Sequence, residues 1–172
     1  MAKTSNNSSL LMLEEKLKTI VNAMGAIACV FFVVVVVMIA FEVIARYVFD
    51  APTIWSHELS VLLCATAFLL GGPYVHQHRS HIVISVASDH FSPRWKRRVQ
   101  VLLSLLALIF FLLLSIATFW QARDAITFME TSGTALNWPI PVILKSTFAF
   151  VAAFLALQSL LQLVGDFRSL KQ

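Results

Sequence analysis

Four long apolar blocks, at about 23–41, 59–75, 99–120 and 146–164, constrain this chain more than anything else in it. Each is long enough to cross a hydrocarbon layer of about 30 Å, which takes roughly 17–25 helical residues. Inside that layer a segment must satisfy its own backbone N–H and C=O groups. The β-branched run VFFVVVVVMIA in the first block therefore reads as helix and not as strand. A soluble domain is about a quarter charged, whereas this chain is 13% charged and 59% hydrophobic. The fold class that follows is an all-α integral membrane protein with four transmembrane helices. The spans are expected at about 23–47, 57–76, 94–131 and 140–165, forming one membrane domain over 23–172. Residues 1–22 precede it as a tail and juxtamembrane helix. The first block exceeds the apolar core of a signal peptide, about 7–15 residues, and is read as retained.

Charge distribution sets the orientation, because cytoplasmic loops carry the excess of Lys and Arg. Lys3, Lys16 and Lys18 precede the first span, Arg79, Arg94, Lys96, Arg97 and Arg98 lie between the second and third, and Arg168 and Lys171 follow the fourth. Only Arg46, Arg123 and Lys145 fall on the other side. Both termini are therefore expected in the cytoplasm.

Residues 1–9, polar and small, read as a disordered tail. Leu10, Leu13, Leu17 and Ile20 fall at helical spacing, as an interfacial helix or as an extension of the first span. At the outer end of that span Glu42 and Arg46 sit four residues apart on one face. Asp50 to Thr53 form a turn, Trp55 fits an interfacial aromatic belt, and Glu58 enters one turn into the second helix. Glu42, Arg46 and Glu58, at one depth with one cation between two anions, are expected to form an ion-paired group with Trp55 beside it. Gly71 and Gly72 mark a helix kink or a close helix contact. Residues 82–91, between two spans on the basic side, read as a short helix flat on the cytoplasmic surface, part of a surface segment that includes Arg79, His81, Ile82 and Val86. Trp95, Arg97 and Arg98 anchor the third span. Without a breaker before Gly133 that helix is expected to run nearly forty residues. Trp138 stands at the outer interface, and Lys145 snorkels outward or meets Glu58 or Glu42. Gln158 and Gln162 are placed to hydrogen-bond between helices.

No catalytic constellation, metal site or cofactor motif stands out. Cys29 and Cys64 lie inside apolar blocks and read as small buried packing residues. The five histidines do not supply two axial haem ligands at one depth on facing helices, which weighs against a membrane anchor subunit of a redox complex. His76 and His78 read as surface groups. A four-span drug/proton antiporter needs a membrane carboxylate that trades protons, and Glu42, at a helix end beside Arg46, is badly placed for that.

Arg46-Tyr47-Val48-Phe49 ending the first span, Trp55-Ser56 and Glu58-Leu59 opening the second, Gly71 near its end and His81-Ile82 after an arginine together resemble one family. It is the small integral membrane subunit, the DctQ-like or Q-type subunit, of tripartite ATP-independent periplasmic (TRAP) transporters. An acidic residue commonly follows the His-Ile pair there; this chain has Ser85 and a later Asp89. The resemblance implies a non-enzymatic scaffold subunit without cofactor or substrate site. It implies two partners besides the lipid bilayer, a large multi-span subunit and a periplasmic binding protein, and sodium-driven uptake of an organic acid across the bacterial inner membrane.

Overall fold

The computed structural model describes residues 2–79, 93–134 and 136–170, and every regular element in them is α-helix. The helices are α1 (Ala2–Val48), α2 (Ile54–Arg79), α3 (Pro93–Thr127) and α4 (Ile140–Leu170). Each contains a stretch long and apolar enough to cross a membrane, at Glu15–Val48, Ile54–His78, Arg97–Thr127 and Ile140–Phe167. The surface helix expected at 82–91, with His81, Ile82 and Val86, lies outside the described residues.

What decides which way α1 faces is a seam that its sequence hides. Its covered positions are Leu17, Val21, Met24, Ala28, Phe31, Val35, Met38, Glu42 and Ala45, together with Gly25 beside Met24. Apart from Gly25 the steps alternate four and three, the 3.5-residue repeat of a left-handed helix pair. All other described α1 side chains from Met12 onward are exposed, among them Val30, Val33, Val36 and Val37. The helix is apolar all round, so only packing selects the face. On α3 the corresponding seam runs Ser104, Leu108, Phe111, Ser115, Thr118, Ala122 and Ala125. Most of these are small, which lets two backbones approach where lipid competes equally well for larger apolar side chains.

α1 packs along α2, α2 along α4, and α4 along α3. The four helices thus stand in the order 1-2-4-3, with α2 and α4 inside and the single-seam helices α1 and α3 at the edges. Ser56 lies across from Met38 and Tyr74 across from Gly25, so α1 and α2 are antiparallel. Gln158 meets Pro73 and Ser159 meets His76, so α2 and α4 run the same way. The α1–α2 and α3–α4 connections therefore share one end of the bundle, called here the loop end. All four helices contribute where Met24, Val151 and Leu155 are buried together, with Leu69, Leu70, Phe111 and Phe154 against them.

Three local features differ from the sequence reading. The polar opening is no separate tail: α1 runs back through it to Ala2. α3 stops at Thr127, well short of Gly133. Its cap is built on Met129, in the left-handed region (φ 48°), with Glu130 N–H donating to Ala125 C=O and Met129 N–H to Ile126 C=O. That is the paired closure usually given to glycine, and no glycine advertises it. Among the described residues Gly71 is not a close-contact position, since a Cβ there would meet none of them within 4 Å, and one on Gly72 would touch Leu155 at 3.9 Å. The glycine that matters for approach is Gly25, where a Cβ would stand 2.7 Å from the Tyr74 ring.

Gly25→Ala is expected to destabilise the protein by about 1–3 kcal/mol, the usual cost of overpacking, outweighing the roughly 1 kcal/mol by which Ala favours a helix. With Tyr74→Ala added, the same change should become neutral or stabilising. Thermal unfolding of the two single variants, the double variant and the parent in detergent measures the coupling.

Candidate functional site: polar clasps at the helix ends

The α1 seam delivers Glu42 to the start of α2. There its Oε2 accepts hydrogen bonds from the Thr53 amide (3.1 Å) and the Thr53 hydroxyl. Its Oε1 accepts two from Arg46, from Nη2 at 2.6 Å and Nε at 3.1 Å. Thr53 is the residue just before α2, so the carboxylate satisfies an amide that the helix cannot, and stands at the positive end of its dipole. The turn between is closed by Ala51 N–H donating to Ala45 C=O, with Asp50 in the left-handed region. Trp55 lies against Phe41, centroids 6.3 Å apart.

Glu58 does not join this pair. It is 4% exposed and turns the other way, toward the α3–α4 connection, where Thr134 Oγ1 and Ser132 Oγ donate to its two oxygens. The two hydroxyls are themselves 2.6 Å apart, and Ser132 N–H donates to Trp138 C=O across the loop. Gly133 sits between them at φ 65°, a conformation that side chains rarely adopt. Lys145 meets neither Glu58 nor Glu42; its ammonium pairs with Glu130, from the end of α3 to the second turn of α4. Arg123 stacks over Trp120 nearby, 5.2 Å from the ring centroid.

A second polar set, largely unsuspected from sequence, descends from the middle of α4 to its far end. Gln158 Nε2 donates to the Pro73 carbonyl (3.3 Å), and Ser159 Oγ meets His76 Nε2 (3.2 Å). Gln162 is a second neighbour of that ring, and Phe111 packs edge-on against it at 5.0 Å. Below them Asp166 accepts from Ser104 at 2.5 Å and Gln100 at 3.5 Å on α3. His76 is thus a partly covered interhelical group and not the surface histidine expected. The polar face at 158, 159, 162 and 166 was half visible in the Gln158–Gln162 spacing; its partners, more than 60 residues away, were not.

The remaining anticipated residues are more scattered. Trp95, Arg97 and Arg98 are exposed in the first turns of α3, and Trp138 lies in the α3–α4 loop. Arg79 ends α2. Cys29 is exposed on α1 instead of buried, while Cys64 is partly covered. Among the described residues no group of three or more His, Cys, Asp or Glu could hold a metal ion. The carboxylates Glu42, Glu58, Glu130 and Asp166 all act as acceptors that tie one element to the next.

Residues 35–169 match the family model described as tripartite ATP-independent periplasmic transporters, DctQ component. The chain belongs to this DctQ family. It is a multi-pass membrane component of a TRAP transport system and not an enzyme. The matched region holds both loop-end clasps and the whole polar face of α4, whereas Gly25 lies before it. No curated protein and no solved structure matches the chain.

Removing the Glu58 carboxylate leaves two loop hydroxyls without their acceptor. In this DctQ component Glu58→Ala is expected to lower stability by about 1–3 kcal/mol and to speed hydrogen exchange at the Ser132 amide. Hydrogen-exchange mass spectrometry over 128–139 reads the second effect. Asp166→Ala should destabilise the α3–α4 pair by a similar amount and leave that loop's exchange unchanged.

Proposed function

We propose that this chain is the fixed scaffold subunit of a TRAP-type secondary transporter in the bacterial inner membrane. It enlarges and steadies a large multi-span subunit that carries sodium and substrate, while a periplasmic binding protein delivers an organic acid. The observation that supports this best is how its carboxylates are used. Glu42 and Glu58, the acidic groups of α1 and α2 at the loop end, are taken up by Thr53, Arg46, Ser132 and Thr134 of the same chain. Coupled ion and substrate sites usually sit near the midplane on broken helices, and the four described helices are continuous. Nothing in that arrangement offers a carboxylate for proton or cation exchange.

In this reading the loop end faces the periplasm and both termini the cytoplasm, as the ten-of-thirteen bias of Lys and Arg requires. The loop carrying Ser132, Thr134 and Trp138 then approaches the soluble partner, and the exposed apolar faces of the edge helices are available to the large subunit.

Reconstitution separates this from the antiporter reading. The chain alone in proteoliposomes should move neither protons nor organic acid, and sodium-dependent uptake should appear only when the large subunit and binding protein are added. Proton–cation exchange by this chain alone would refute the scaffold role. For topology, a cysteine replacing Ala51 should react with a membrane-impermeant maleimide in intact spheroplasts, and one replacing Gln172 only after lysis.

A further inference from the structure

Near the loop end, α1 and α2 leave between them an open groove of about 350 Å³. Val35, Ile39 and Val43 line it from α1, Val61 and Cys64 from α2, and Arg46 and His57 stand among its polar residues. Ser60 also lines it, one turn deeper along α2 than His57, and is only 7% exposed. Its hydroxyl has no hydrogen-bond partner among the described residues. A hydroxyl shut away from water without an acceptor is costly, so an acceptor arriving from outside the chain would relieve it.

Apolar side chains run along both walls, and from the loop end inward come a cation, then a hydroxyl donor, then an apolar end at Val35, Val61 and Cys64. A glycerophospholipid offers phosphate, ester carbonyl and acyl chain in the same order. We propose that this groove binds one glycerophospholipid, with its phosphate at Arg46 and His57, an ester carbonyl on Ser60 and an acyl chain along Val35, Val61 and Cys64. Arg46 is half-exposed and gives Nε and Nη2 to Glu42, but a guanidinium presents five N–H donors, so donors remain for a phosphate. Glu42, the acidic group in the lining, has both oxygens engaged by Arg46 and Thr53, which blunts its repulsion of an anionic headgroup. A partner helix is the poorer occupant. Its carbonyls already accept within its own ladder and offer Ser60 only a second lone pair, whereas a lipid ester oxygen is uncommitted.

The test uses the full chain in detergent, titrated in native mass spectrometry with three lipids of identical chains. These are dioleoylphosphatidylglycerol, its diether analogue without ester carbonyls, and dioleoylglycerol without phosphate. One phosphatidylglycerol should be retained after collisional activation, the diether form several-fold less, and dioleoylglycerol not at all. Ser60→Ala should abolish the ester-over-ether preference, and either Val61→Trp or Ile39→Trp, filling the groove from opposite walls, should remove the retained lipid while thermal unfolding is unchanged. Equal retention of all three lipids, or retention unaffected by both tryptophans, overturns the proposal. In a Cys29→Ala background, phosphatidylglycerol should also slow alkylation of Cys64 by N-ethylmaleimide. Protection that appears only with a co-expressed protein partner would give the groove to that partner and overturn the lipid assignment.

Discussion

Hydrogen bonds between helix ends decide how these helices stand, because hydrocarbon removes the usual reason for apolar side chains to cluster. A valine on α1 is as well solvated by lipid as by another valine, so long apolar faces such as Val30, Val33 and Val37 carry little information about neighbours. A carboxylate or hydroxyl has no such indifference. Glu42 must find donors and finds them at the start of α2; Glu58 finds them in the α3–α4 loop; Asp166 finds them on α3. With these three placed and Gln158 and Ser159 of α4 meeting Pro73 and His76 of α2, the order 1-2-4-3 follows, and small side chains along α3 let the helices close up between the anchor points.

The number and type of elements were legible in the sequence because length and hydropathy suffice for them. Partnership was less so. Glu42 with Arg46 could be read from a four-residue spacing, but assigning Glu58 to the same group rested on depth alone and missed its direction. Four residues separate Glu58 from Ile54, the first residue of α2, and a helix turns its side chains through 100° per residue, so a similar depth says nothing about facing. Lys145 and Glu130 flank one connection and were in principle visible as a hairpin pair. The His76 partners on α4 were not, since nothing local to GGPYVHQH distinguishes a covered imidazole from an exposed one.

Glycine shows the same limit from another side. The Gly71-Gly72 doublet is conspicuous, yet neither residue is tightly approached among the described residues, while Gly25, inconspicuous between Met24 and Ala26, lies under a tyrosine ring. Close approach depends on the phase of the seam, and a helix that is apolar all round conceals that phase. The early stop of α3 has a comparable origin: Met129 takes a conformation for which sequence offers glycine as the signal, and the loop hydrogen bonds hold it there.

The loop lock on Glu58 has a consequence for how the molecule comes together. α1 with α2, and α3 with α4, are hairpins of sequence neighbours, so each can form as its two helices enter the bilayer, with short loops to close. The contact from Glu58 to Thr134 spans 76 residues. It cannot exist until the third helix and the loop that follows it have been made. Until then Glu58 must find its hydrogen bonds in water, and α2 has no fixed neighbour on that side. Joining of the two hairpins is thereby tied to completion of the second one, where the buried Glu58 carboxylate acts together with the Gln158–Pro73 and Ser159–His76 contacts to make two half-proteins one.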